Sequence, residues 1–137
     1  MAAVSITAAN VGIASLNVSL EPVTAGEAVT QGQSVYLKAS DQKWYKADAN
    51  ASSATAAASG LVITPAATDG QAIIARSGLV KIGGTVAVGT PYCVGPVAGE
   101  IVPYSDLTTG DYVTFIGTAA TTSTINLSFD ATGYQKP

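Results

Sequence analysis

No histidine occurs in the 137 residues of this chain, and only 11% of them are charged. The side chain that most often moves protons near neutral pH, and the commonest metal ligand, is therefore missing. Ordinary acid–base enzymes and histidine-built metal centres drop out as first readings. A single cysteine cannot close an intramolecular disulfide, which excludes a disulfide scaffold. Six Lys and Arg stand against nine Asp and Glu, a net charge of -3 with a pI near 4.5. Such a balance lacks the basic surface that draws proteins to phosphate backbones, so nucleic acid is not expected as a partner. Long apolar runs are absent too: Gly, Pro, Thr or a charge interrupts each one well short of the ~20 residues of a membrane helix. No membrane association is expected. The N-terminal Met-Ala-Ala-Val-Ser-Ile has no positive stretch, the first cation being Lys38, and does not read as an export signal.

What is present is small and apolar. Hydrophobic residues make up 47% of the chain and aromatics only 7%, and the mean hydropathy of +0.35 comes from Ala and Val spread along its length. From Ser34 onward, short β-branched or aromatic runs alternate with Gly, Pro, Asp and Thr, the punctuation of strands joined by tight turns. This predicts an all-β fold, a single compact barrel-like or sandwich domain of short antiparallel strands. The expected strands are 34–39, 43–47, 60–64, 72–76, 79–82, 85–88, 92–94, 101–104, 111–116 and 124–129. Ser40, Asp41 and Gln42 break the first two into a hairpin that sets Tyr36 and Lys38 against Trp44 and Lys46. A degenerate pattern, Gly followed by apolar residues at the third and fifth positions after it, starts at Gly32, Gly70, Gly89 and Gly110. Its irregular spacing argues against a propeller or solenoid.

Two segments depart from this pattern. Residues 48–59 (Asp-Ala-Asn-Ala-Ser-Ser-Ala-Thr-Ala-Ala-Ala-Ser) hold no large apolar side chain and read as an exposed loop with one helical turn. Residues 1–24 carry Val4, Ile6, Val11, Ile13, Leu16, Val18 and Leu20 with Glu21 as their only charge. They read as an extended N-terminal arm ahead of a β-rich body at 25–137. Such an arm is expected to dock on a partner and to be less ordered in the free protein, the alternative being an edge strand of its own sheet.

The acidic residues sit mostly where turn chemistry explains them, as at Asp69-Gly70 and Gly110-Asp111. A glycosidase-like carboxylate pair is the rival reading. Asp106 and Asp111 flank a turn without the spacing of a calcium loop, so no metal is expected. Gly83-Gly84 lacks the Lys and hydroxyl of a phosphate loop and reads as a turn, and no cofactor is expected. Cys93, in a predicted strand, reads as a buried structural thiol. Asn17, Asn50 and Asn126 head glycosylation-type triplets that arise by chance in so Ser- and Thr-rich a chain. Trp44 and Tyr45, between two lysines, are a candidate contact point, as are Val4, Ile6, Val11 and Ile13.

Several pieces then fall into a familiar order. Ala25-Gly-Glu-Ala-Val-Thr-Gln-Gly-Gln-Ser-Val-Tyr-Leu leads to Asp41-Gln-Lys-Trp-Tyr-Lys-Ala-Asp, then to Gly60-Leu-Val-Ile and Ser77-Gly-Leu-Val-Lys-Ile. Gly89-Thr-Pro-Tyr-Cys-Val-Gly-Pro-Val-Ala-Gly-Glu-Ile-Val-Pro follows, and Gly110-Asp-Tyr-Val-Thr-Phe-Ile-Gly-Thr-Ala closes the series. This succession, over roughly residues 25–119, resembles the small decoration or cement proteins of tailed-bacteriophage heads. The arm and the tail after Ala120 lie outside it. The resemblance implies a β-rich homotrimer on the outer surface of the phage head, bound where subunits of the major capsid protein meet. It implies no catalytic residues and no small-molecule substrate. The alternative is a tail- or fibre-associated module that binds a receptor or carbohydrate.

Overall fold

Residues 3–137 are described by a computed structural model. As the alternation predicts, the fold is all-β. Its strands are β1 (Val11–Ile13), β2 (Ser19–Thr24), β3 (Ser34–Lys38), β4 (Lys43–Lys46), β5 (Gly60–Thr64), β6 (Gln71–Ile82), β7 (Pro91–Val94), β8 (Ile101–Pro103), β9 (Tyr112–Ala119) and β10 (Thr124–Gln135). One helical turn, α1 (Ser53–Ala56), lies between β4 and β5, and 3-10 turns occupy Ala8–Asn10 and Tyr104–Asp106. The strands form one antiparallel sheet in the order β4-β3-β5-β6-β10-β9-β7-β8, with β1 and β2 added along β6. It curls into a half-barrel. A parallel bridge between Ala25 and Trp44 brings the end of β2 round to β4, and the Gly26 N–H donates to the Trp44 carbonyl at 2.8 Å.

The spine is β6. The sequence pattern divides it into two strands at Ser77-Gly78, but the chain runs through as one of 12 residues. Along one edge it pairs first with β2 and then with β1; along the other it pairs with β5 and then with β10. The exchange of neighbours falls at Gly78. There φ is +99°, and a Cβ would stand 2.7 Å from the Val18 Cα. Glycine permits the left-handed kink and the close passage of the neighbouring chain, so the strand bends without ending. A register shift between Ser19 and Leu20 marks the same place on β2.

Because β5 and β6 are covered on both faces, successive residues enter different cores. Leu61 and Ala75 join Val80, Ile82, Cys93, Val94, Ile101, Ile116 and Ile125 in the larger cluster. Val62 and Ile74 join Val23, Ala25, Val29, Val35 and Trp44 in the smaller one. Burying each Ile or Leu fully is worth about 1.5–3 kcal/mol, so both clusters contribute substantially.

Several expectations are corrected. Residues 48–59 do contain the helical turn, capped reciprocally by Ser52 and Thr55, but the segment is not simply exposed: Ala49, Ala56 and Ala58 are buried. Its small side chains let the backbone itself pack. The Ala49 N–H reaches the Gly95 carbonyl, and the Ala49 carbonyl accepts from Tyr112, each within 2.9 Å. Residues 85–88 form no strand. Gly83, at φ +77°, turns the chain out of β6, and Val86 is then buried under a hydrogen bond to Thr122. The N-terminal segment is extended as expected, but it lies along its own body. The Val4 N–H donates to Ile101 and the Thr7 N–H to Gly83, while residues 11–24 supply β1 and β2. No break falls at residue 24, since Val23 and Ala25 share one core. At the other end β10 continues to Gln135, beyond the predicted residue 129, because β9 goes on supplying partners as far as Tyr112.

Two outcomes follow. Gly78→Val is expected to cost about 2 kcal/mol or more through left-handed strain and overpacking. It should lower the urea midpoint with little change in slope, and a midpoint equal to that of the parent protein would count against Gly78 as the hinge of β6. Deleting residues 1–13 removes β1 and the half-buried Val4 and Ile6, an expected loss on the order of 3 kcal/mol. Thermal unfolding of the isolated protein measures it, and an unchanged midpoint would mean that the segment is dispensable to the body.

Candidate contact surfaces

The β3–β4 hairpin forms where expected, with a different register. Tyr36 lies opposite Tyr45, Leu37 opposite Trp44 and Lys38 opposite Lys43. Gln42, at φ +59°, ends a longer turn than the polar break suggests, and this slips the pairing by one residue. Trp44 therefore points inward. It is 6% exposed, belongs to the smaller core, and carries the Arg76 guanidinium 5.4 Å above its ring. Arg76 in turn pairs with Glu21 at 2.8 Å. As a contact residue Trp44 is thus replaced by a core role.

Tyr45 lies half-buried on Gly26, where any Cβ would collide with the hydroxyl end of its ring. Its hydroxyl donates to Asp41 at 2.6 Å, Lys38 stands 5.0 Å from the ring centre, and Tyr36 is 6.2 Å away. The hydrogen bond favours the neutral phenol beside an ionised carboxylate. It holds Asp41 below its ordinary value and, with some burial, pushes Tyr45 up to about 12. Tyr36 is also raised, by burial and then by Glu27 and Asp41.

Of the N-terminal candidates, Val4 and Ile6 are half-buried against the larger core, and Val11 meets the glycines at 32 and 83. Only Ile13 keeps a large exposed side, at 45%. Leu16 projects from the β1–β2 connection at 102% exposure, and Leu20 follows at 47%. Residues 3–20 contain no ionisable side chain, so the apolar groups on this edge are themselves uncharged, and the nearest charge that strand pairing brings to β1 is the exposed Lys81 opposite Gly12. Pro22, which has no N–H, sits in β2 beyond it and blunts the strand for backbone pairing.

Sequence reading misses a second surface. A groove of about 240 Å³ lies over β9 and the end of β10, lined by Tyr104, Val113, Phe115, Thr132, Tyr134 and Lys136. Tyr104 stacks on Phe115 at 5.8 Å, and the Lys136 ammonium lies 4.6 Å from the Tyr104 ring while donating to the Tyr104 and Leu107 carbonyls. Tyr134 stands 76% exposed at the rim. The sequence signal was faint: one tyrosine in a polar tail, whose partners are far away along the chain.

The acidic residues are mostly engaged. Glu21, Glu27 and Asp69 pair with Arg76, Lys46 and Lys43. Asp41, Asp48 and Asp111 accept backbone N–H groups in turns. Asp106 has one buried oxygen without a partner. Among the described residues no three His, Cys, Asp or Glu side chains converge as metal ligands. Cys93 is fully buried in the larger core, and that burial pushes its thiol up to about 12. No helix among these residues is long and apolar enough to cross a membrane.

Comparison with family models, curated proteins and solved structures finds no match to this chain. Function is therefore argued from the surfaces themselves.

Tyr45 offers a direct check on the hairpin. Its native pKa lies above the ordinary ~10 of an unfolded tyrosine, so its contribution to stability is complete below pH ~10 and is lost as pH rises through the native value of about 12. Phenolate absorbance should show a late-titrating phase that is diminished in Tyr45→Phe and moves earlier in Asp41→Asn. A titration unchanged by Asp41→Asn would contradict the hydrogen bond as the cause.

Proposed function

We propose that this protein is a decoration protein of a tailed-phage head, bound as a homotrimer to the outer surface of the capsid and stabilising it by bridging subunits of the major capsid protein. The observation that carries the reading is the set of exposed apolar side chains Ile13, Leu16 and Leu20 on the N-terminal edge of the half-barrel. Leu37, Val88 and Val97 add further apolar exposure elsewhere on the molecule. The ordered motifs over residues 25–119 support the same reading.

Binding of this kind needs no reacting group. Each contact removes apolar area from water at about 25 cal/mol per Å², and one body touching several capsid subunits gains from the high effective concentration of its second and third contacts. Bridged subunits must separate together, so the shell resists heat and internal pressure. Its location would be the virion surface, with assembly onto heads made in the host cytoplasm.

Electron microscopy of parent heads assembled with and without the protein tests this directly. The expected map has added density on the outer surface where capsid subunits meet, and the coated heads should release their DNA at a higher temperature. Identical maps and identical release temperatures would overturn the reading.

A further inference from the structure

We infer that the outer edge of β1 binds an extended acidic peptide, whose main chain pairs with Ile13 and whose carboxylate reaches across Gly12 to Lys81. The inference stands apart from the decoration reading, because it starts from a glycine that the fold does not require. Seven of the fourteen glycines hold a positive φ, and six more have a neighbouring atom at 3.0 Å or closer to where a Cβ would stand. Gly12 alone has neither, with nothing within 4 Å of that position. A glycine weakens the strand that holds it. One without a steric reason inside the molecule marks a place where a ligand or another backbone comes close.

Above Gly12 lies a trough of about 670 Å³, lined also by Asn10, Ile13, Lys81 and Ser123. Pairing sets Gly12, Lys81 and Thr124 side by side on one face of three strands, while Val80 and Ile82 fill the larger core from the other face. The trough is thus on the outside of the sheet. Lys43, Lys46 and Arg76 meet carboxylates, Lys38 lies over a ring and Lys136 donates to two carbonyls. Lys81 alone among the described basic side chains has no such partner, and no acidic side chain lines the trough. A carboxylate is therefore the group that this face lacks. No aromatic ring lines it either, so nothing there would stack on a sugar.

The main chain of β1 selects a peptide over a small anion. Its one strand partner among the described residues is β6. The Ala14 N–H donates to the Leu79 carbonyl at 2.8 Å. Bonded positions alternate along an antiparallel pair, so Gly12 turns its polar groups to β6 and Ile13 turns its own outward. A peptide strand laid on that edge would stand ~4.8 Å from β1 and ~10 Å from β6. Its side chain opposite Gly12 shares the face of Lys81, and the missing Cβ leaves a glutamate a clear path to the ammonium. A free anion could meet Lys81 but would leave the Ile13 edge unused. Pro22 stops the same pairing from continuing along β2, so the contact is short and depends on the ion pair.

Titration of the isotope-labelled full chain by NMR tests this at low salt, with the capped peptide acetyl-Thr-Val-Glu-Val-Thr-amide as probe. It should shift the amide signals of residues 10–13 saturably, and the same peptide with Gln in place of Glu should bind about fivefold more weakly. Lys81→Gln should bind both peptides alike, at the weaker level. Gly12→Val should keep the thermal midpoint of the parent protein, since its side chain meets no atom of the fold, and should lose the preference for Glu. The inference is overturned if no saturable shift appears, if the shifts fall elsewhere, if the parent protein binds both peptides equally, or if Lys81→Gln keeps the preference. Should sodium acetate alone give the same shifts at the same concentration, Lys81 holds a free anion and the peptide contact is wrong. Should the parent protein self-associate through residues 10–13 before peptide is added, and Gly12→Val not, a second copy is the occupant and the inference again fails. Head coating is measured separately, so none of these results decides the decoration reading.

Discussion

Nearly every other feature of the molecule depends on β6 having a hydrogen-bonded neighbour on both edges along most of its length. A strand so placed can present both faces to apolar neighbours, and successive residues of β5 and β6 enter two cores accordingly. The condition is that no single partner follows β6 for its whole length. β2 hands over to β1 on one edge and β5 to β10 on the other, and the changeover is absorbed at Gly78, where a side chain would collide with the adjoining chain. The N-terminal segment is therefore part of the architecture: without it one edge of the spine would be open to water and to other strands.

Small residues are the second means of construction. With few large side chains available, the body gains density by bringing backbone close to backbone and ring close to backbone. Alanines of the 48–59 segment lie flush against the strands, and Tyr45 rests on Gly26. Close-packed interiors of this kind reach ordinary protein density without bulky groups. Among the charges, Arg76, Lys43 and Lys46 each meet a carboxylate of the same molecule. Such partly exposed pairs are worth little in stability. Their consequence is a surface with few bare charges, on which apolar contact with a neighbour costs little desolvation.

The surfaces that remain are a row of exposed apolar side chains along the N-terminal segment and an aromatic recess over β9 and β10, on different strands of one sheet. Strand alternation separates the roles of neighbouring residues. Trp44 and Tyr45 are adjacent in sequence, yet one anchors a core and the other caps an exposed turn.

What the sequence determined by itself is local. Period-two alternation between glycine-led turns fixed the all-β class, the position of the β3–β4 hairpin, the burial of Cys93 and the turn chemistry of most of the carboxylates, because each depends on residues a few positions apart. Tertiary structure alone decided which edge meets which. That choice carried β6 through Ser77-Gly78, laid the N-terminal segment on its own sheet, turned Trp44 inward by a one-residue slip, and buried alanines that read as loop. It also assembled the groove, whose Tyr104, Phe115 and Tyr134 come from distant parts of the chain and meet only when β9 and β10 pair. Alternation reports which side chains share a face, but the partner of a strand edge is set by hydrogen bonds between segments far apart in sequence, and these leave no local pattern to read.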